Sequence, residues 1–415
     1  MKYIIIGAGI SGMSIARLLQ NAGNQVVVYE RDSRPGGIIK CDSIEGNLFH
    51  RTGGHVFNTK RKDVANWFWS FFNKETEFIK TIRKSSVFMD NGLEIPYPIE
   101  NHAYMLGQEI GKQIVKDLCK MTKEADLLPN NFEEFLKKQF GKTLYELYFK
   151  PYNKKIWRRD LTKVPLSWLE GKLPMPTVEE IIFNNIYHIK EDKFVHSSFF
   201  YPLKGGSQFI ADTLATGLDI KYNSPVIEIR RTKAGWAVNG ELYNRVIYCG
   251  NIKQIPNLLK NQIQIESYTN NIELLEYHGT TSVFCEIDKN PYSWIYLPSE
   301  KHDAHRIICT GNFSNNNNAT LKNTATIEFT DYISKEDIIT QLRKIPLNPK
   351  YITHNYEKYT YPIQNSNTRG MIKELKKVLA IHGFYLCGRF AEWEYYNMDI
   401  CLGSALDLFN NELSK

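Results

Sequence analysis

The sequence contains no Cys-x-x-Cys pair, no Gly-x-Ser-x-Gly elbow, no Walker loop and no His/Cys spacing suited to a metal. Dithiol redox, serine-hydrolase, P-loop and zinc chemistries therefore lose their usual signatures. The seven cysteines stand singly between Cys41 and Cys401, which fits reduced thiols rather than a disulfide scaffold. No run approaches the ~18 apolar residues of a spanning helix. The opening MKYIIIGAGI reaches glycine at residue 7, too early for a signal peptide. A cytoplasmic chain without a membrane span is expected. A basic block is missing too: 52 Lys and Arg against 45 Asp and Glu leave +7 spread along the chain. Nucleic acid is not an expected partner, whereas an anionic small substrate is compatible.

At 415 residues the chain exceeds one ordinary core, and two or three domains are expected. A composition 42% hydrophobic and 13% aromatic is globular and suits a flat ligand. The first thirty residues read as strand (YIIIG), glycine-rich turn, helix (SGMSIARLLQNAG) and strand (QVVVYE). From about 102 to 190 the pattern is helical, and from about 195 the β-type alternation returns in YNSPVIEIRR, RVIYCG, TTSVFCEID and RIICTGNF. The Asn315–Asn318 run reads as a polar loop tip.

Gly7, Gly9 and Gly12 form G-x-G-x-x-G between strand and helix, and Glu30 ends the next strand. The glycines permit a tight turn, approach of backbone to a pyrophosphate, and close helix–strand packing, while a carboxylate at Glu30 can accept ribose hydroxyls. Further paired glycines follow in RPGG (Gly36, Gly37) and FHRTGGHVF (Gly53, Gly54, His55), where backbone can lie against a ring. With the late FYLCGR, this is the discontinuous layout of FAD flavoproteins of the amine oxidase type. The expected fold is α/β: a Rossmann-like FAD-binding domain from discontinuous segments (1–85, 200–265, 370–415), an inserted helical domain (100–190) and an antiparallel β-sheet substrate domain (86–99 with 266–369).

The ordered motifs GGHVF, IPYPIEN, FKPYNKKIW, VPLSWLEGKLP, YPLKGG, HRIICTGNF and GRFAEWEYYNMD resemble those of the UDP-galactopyranose mutase family, in places its eukaryotic form. The resemblance implies FAD, active when reduced, held by Gly7, Gly9, Gly12, Glu30, Gly37, Gly54, His55 and Arg389. It implies a UDP-sugar whose diphosphate meets Arg306, Tyr361 and Tyr395, with Tyr296 near the substrate and Tyr97, Asn153 and Trp157 around uridine. The reaction implied is pyranose–furanose isomerisation at the anomeric carbon, for cell-surface polysaccharide. NAD(P)H or another reductant would reduce the flavin, and a homo-oligomer is compatible with the chain.

Two departures stand out. Where the family has a second diphosphate-binding arginine, this chain has Lys172, which keeps the charge but not the planar fork, with Arg158 and Arg159 as nearby substitutes. Ile99 and Glu100 replace a Phe-Gln pair beside the base. Core packing is the competing reading for His55, Trp157 and the tyrosines, a strand-entering charge for Arg306, and a surface ion pair for Arg389. An FAD oxidoreductase of the amine or protoporphyrinogen oxidase type, or a flavoprotein that only binds nucleotide sugar, is the alternative function.

Overall fold

The computed structural model describes residues 1–121, 128–166, 176–189, 198–260, 262–319 and 323–414. Five short parallel strands build the nucleotide-binding layer: β1 (Lys2–Ile6), β2 (Gln25–Tyr29), β3 (Asp219–Lys221), β4 (Arg245–Tyr248) and β5 (Phe384–Leu386). Their order is β5-β4-β1-β2-β3, so the first strand lies at the centre and the last strand forms an edge. Helix α1 (Ile10–Asn21) covers one face. Its Ile10, Met13, Ala16 and Leu19 recur at three-residue steps and are buried, as an amphipathic helix requires. The opposite face is closed by Trp236, Leu375, Leu379 and Trp393, and both sides of β1 are buried, which explains its unbroken Tyr-Ile-Ile-Ile run.

A seven-stranded sheet supplies the second layer, in the order Lys350–Ile363, Glu276–Ile287, Asn323–Thr330, Arg306–Ile308, Trp294–Tyr296, Ser85–Phe88, Glu94–Pro96. It is antiparallel apart from the pairing of Trp294–Tyr296 with Ser85–Phe88. The expected α/β organisation is thus observed. The helices Gln108–Met121, Phe132–Leu144, Lys150–Trp157 and Val178–Ile186 intervene in sequence between the two layers' strands. Asn131 caps the second by accepting from the Glu134 amide at 3.0 Å, and Thr177 with Glu180 forms a capping box on the last.

The Asn315–Asn318 run is only in part a solvent-facing tip, with Asn315 and Asn316 exposed. Asn317 is fully buried and donates to the Tyr201 hydroxyl (3.1 Å) and the Thr310 carbonyl (2.8 Å), while Asn318 donates to the Gly311 carbonyl (2.8 Å). Asparagine side chains here satisfy backbone groups that no strand pairs with. Among the described residues no helix is long and apolar enough to cross a membrane.

Candidate functional site

The glycine turn is built as its spacing requires. Gly7 has φ +106°, and a Cβ on Gly12 would fall 1.9 Å from the Gly7 carbonyl oxygen, so this helix–strand contact admits only hydrogen. Gly9 precedes α1 without any side-chain cap, leaving the helix's first amides directed at the cavity. Glu30 is buried and accepts from the Ala8 amide (2.7 Å) and the Asp32 amide (3.0 Å), which ties the end of β2 to the turn. Gly37, at φ +57°, would place a Cβ 3.3 Å from the Gly9 Cα. These positions form a backbone cradle that side chains would fill.

A cavity of about 2420 Å³ runs from this cradle to the face of the second sheet. That exceeds the roughly 300–1,000 Å³ of a single small-molecule pocket and leaves room for a dinucleotide and a second ligand. Its wall includes Gly7, Gly9, Gly12, Glu30, Gly37, Gly54, His55, Tyr97, Tyr296, Arg306, Tyr361, Arg389 and Tyr395. Most of the expected site residues therefore meet in one space, although they are spread from residue 7 to residue 395.

Cross-strand register aligns the charged wall. Tyr296 pairs with Arg306, and Arg306 pairs with Glu328, so the three project from one face of adjacent strands. The Arg306 Nε donates to the Glu328 carboxylate and a terminal nitrogen donates to the Tyr361 hydroxyl at 3.1 Å. Burial alone would raise the Glu328 pKa, but the Arg306 charge and the His305 hydrogen bond outweigh it and hold the carboxyl well below its usual range. The same carboxylate accepts from the Gly53 amide at 2.8 Å and so joins the diglycine turn to Arg306. Nothing in the sequence marked Glu328, because a polar residue in a strand carries no motif and only its register reveals the pairing.

Tyr361 stacks on Tyr395 with ring centroids 5.2 Å apart, and the Arg389 guanidinium lies 4.1 Å from the Tyr395 ring centre. Arg389 also donates to the carbonyls of Tyr396 (2.9 Å) and Thr360, while its buried Nε has no protein partner among the described residues. The neighbouring Tyr396 packs on the core that holds Leu402 and Ile10. The His55 Nε2 is likewise shielded and unpartnered among the described residues. Shielded, unmatched nitrogens beside a glycine cradle fit a cofactor with polar ring edges, and the residues present accommodate a flavin dinucleotide.

Not every expected residue reaches this wall. Asn153 turns back to donate to the Phe149 carbonyl of its own helix (2.7 Å), and Trp157 is buried in the helical core beside Phe132. Arg158 donates to the Thr330 carbonyl (3.2 Å) and Arg159 pairs with Glu276, both off the cavity wall. Lys172 lies outside the described residues. Arg83, unmarked by any motif, does stand on the wall.

Burial keeps several histidines uncharged. It lowers His50 to about 3 and His55 to about 4, with Arg389 adding to the second shift, and lowers His302 to about 4. His50 accepts from the His55 amide at 3.3 Å, which places its proton on Nε2, 2.8 Å from the Tyr201 hydroxyl. Each of these groups binds a proton more weakly folded than unfolded, where the value is ~6.5. Their stabilisation is complete above that pH and disappears as pH falls towards 4, together on the order of a few kcal/mol. The melting temperature is expected to be level above pH 7 and to fall by several degrees between about pH 6.5 and 4.5, with a shallower slope in His50→Phe. A melting temperature flat across that interval would contradict this.

A family model for NAD(P)-binding Rossmann-like domains matches residues 5–74. The UDP-galactopyranose mutase of Mycoplasma genitalium is 22% identical over 95% of this chain and 91% of its own. The dTDP-fucopyranose mutase of Escherichia coli is 23% identical over 98% of this chain and 97% of its own. A solved structure of reduced UDP-galactopyranose mutase matches with a TM-score of 0.87 at 21% identity, covering 100% of this chain and 94% of that one. The resemblance carried by the motifs therefore extends along nearly the whole chain, and the fold is shared.

Proposed function

We propose that this chain, akin along its length to the UDP-galactopyranose mutases, is a flavin-dependent isomerase that interconverts pyranose and furanose forms of a nucleoside-diphosphate hexose, UDP-galactopyranose or a near relative. The observation that carries this reading is the placement of Arg306, Tyr361 and Tyr395 in the same cavity as the dinucleotide cradle. An anionic leaving group can be held beside the cofactor throughout turnover. Bound and reduced, FAD supplies a ring nitrogen for covalent catalysis at the anomeric carbon.

The protein's part is positioning and charge. Arg306, braced by Glu328, binds the diphosphate as it departs and keeps it in place for its return. Burial raises the Tyr361 pKa well above the usual phenol value, so its hydroxyl stays protonated and donates to phosphate oxygen. Neutral His55 offers hydrogen bonding beside the ring without adding a charge. Gly54 lets the turn lie against Trp294 and Ile308, since a Cβ there would stand 2.7 Å from the Ile308 side chain. The furanose product is a precursor for cell-surface polysaccharide, the flavin is reduced by NAD(P)H or another donor, and the reaction takes place in the cytoplasm.

The test is anaerobic reduction of the flavin-loaded protein with dithionite, addition of UDP-galactopyranose or dTDP-fucopyranose, and chromatography of the sugar nucleotides. Furanose product from reduced but not oxidised protein is expected. Absence of product with either sugar, together with no affinity for UDP or dTDP, would remove this reading in favour of an electron-transferring flavoprotein. Arg306→Lys, which keeps a cation beside Glu328 but loses the fork, is expected to lower kcat/KM about 10- to 100-fold. Undiminished turnover in that variant would dismiss Arg306 as the diphosphate ligand.

A further inference from the structure

We infer that Arg83 is the second diphosphate-binding cation of this site, in addition to Arg306. This rests on the proposed nucleoside-diphosphate-sugar substrate. A diphosphate presents two adjacent anionic groups, and one guanidinium fork matches one of them best. The sequence offered Lys172, which lies outside the described residues, and Arg158 and Arg159, which bind Thr330 and Glu276 away from the cavity. Arg83 is placed differently. It sits between the strands Phe78–Ile82 and Ser85–Phe88 and lines the same cavity as Arg306.

Its guanidinium is held in a defined plane. The Nε donates to the Ser85 hydroxyl at 3.0 Å, a terminal nitrogen donates to the Tyr296 hydroxyl at 2.7 Å, and the group lies 4.8 Å from the centre of the Trp294 ring. Trp294 and Tyr296 belong to one short strand, and Tyr296 pairs directly with Arg306 on the next. Tyr296 therefore has Arg306 beside it in the sheet and Arg83 at its hydroxyl. The ring of Tyr97 packs 4.6 Å from that of Tyr296, on the nucleotide side expected for the base. Arg83 is thus the cation nearer the nucleoside, and Arg306 the one nearer the sugar and flavin. Stacking on tryptophan orients the guanidinium in advance, so little side-chain entropy remains to be lost when phosphate binds.

The experiment compares UDP, UMP and uridine binding to flavin-loaded wild type, Arg83→Gln, Arg83→Lys and Tyr296→Phe by titration calorimetry, with kcat and KM for each. Arg83→Gln is expected to weaken UDP about 10- to 100-fold while uridine changes less than about twofold, and to raise KM more than it lowers kcat. Arg83→Lys should recover part of the UDP loss, and Tyr296→Phe should cost less than Arg83→Gln. Equal losses for UDP and uridine would mean that Arg83 only shapes the Trp294–Tyr296 wall, and would overturn the assignment. Undiminished UDP affinity in Arg83→Gln would also overturn it. Wild-type protein binding neither UDP nor dTDP would overturn this assignment and the proposed function together.

Discussion

Glu328→Gln is expected to destabilise the ligand-free protein by about 3 kcal/mol and to lower kcat/KM by 10- to 100-fold, although the change is nearly isosteric. The glutamine carbonyl can still accept from the Gly53 amide, so the diglycine turn keeps its anchor. The counter-charge is what disappears. Arg306, whose side chain is only 20% exposed, then stands on the sheet with neither a carboxylate partner nor the alignment that Glu328 imposes. A ligand diphosphate supplies negative charge at the same place, so UDP should raise the melting temperature more in Glu328→Gln than in the wild type. Thermal shift with and without UDP measures both effects. A variant as stable as wild type, or one less responsive to UDP, would show that the pair does not hold the cation for phosphate.

The second large effect separates two glycines of one motif. A methyl group on Gly12 would meet the Gly7 carbonyl at 1.9 Å with backbone on both sides, so Gly12→Ala must push α1 away from β1. Gly9, at φ −75°, has nothing within 4 Å of its Cβ position. Gly12→Ala is therefore expected to be poorly folded and colourless. Gly9→Ala should fold with a wild-type circular dichroism spectrum and lose FAD affinity by 100-fold or more, because its added carbon occupies the place of the pyrophosphate. Flavin absorbance after purification, read beside the melting curve, distinguishes the two. Normal FAD retention in Gly9→Ala would mean that the cofactor approaches the turn elsewhere.

The readable features were those that backbone chemistry forces into a local pattern. Gly7 and Gly12 announce a turn because a side chain fits neither, Gly9 completes the spacing, and the late Gly388–Arg389 step enters the cavity one residue after β5. Alternation said only that Tyr395 and Tyr396 would not both face the site, and the family resemblance chose Tyr395; in the structure Tyr395 stacks on Tyr361, while Tyr396 packs on the core and also touches the cavity. Glu328 and Arg83 were invisible for the opposite reason. Glu328 meets Arg306 and Gly53, and Arg83 meets Trp294 and Tyr296, through register that no short window encodes. Asn153 and Trp157 illustrate the converse: their helix was legible, but its rotation was not, and it turns both side chains into the helical layer. Asn317 looked like a loop residue because a buried amide closing a backbone network has the same letter as a solvated one.

The strand order of the nucleotide-binding layer also fixes a timetable. β1 is synthesised well before its neighbour β4, which is completed only at Tyr248, and before β5, completed only at Leu386. At the ~5–20 residues per second of synthesis, β1 and β2 wait roughly 10–50 s for β4, with their apolar faces unpaired meanwhile. During that interval the glycine turn exists in sequence but has neither the Cys249 backbone that closes over Gly7 nor the guanidinium of Arg389. Flavin loading is consequently expected to follow synthesis of the segment that carries Arg389. A chain ended before β4 is expected to be colourless, because its glycine turn stays open.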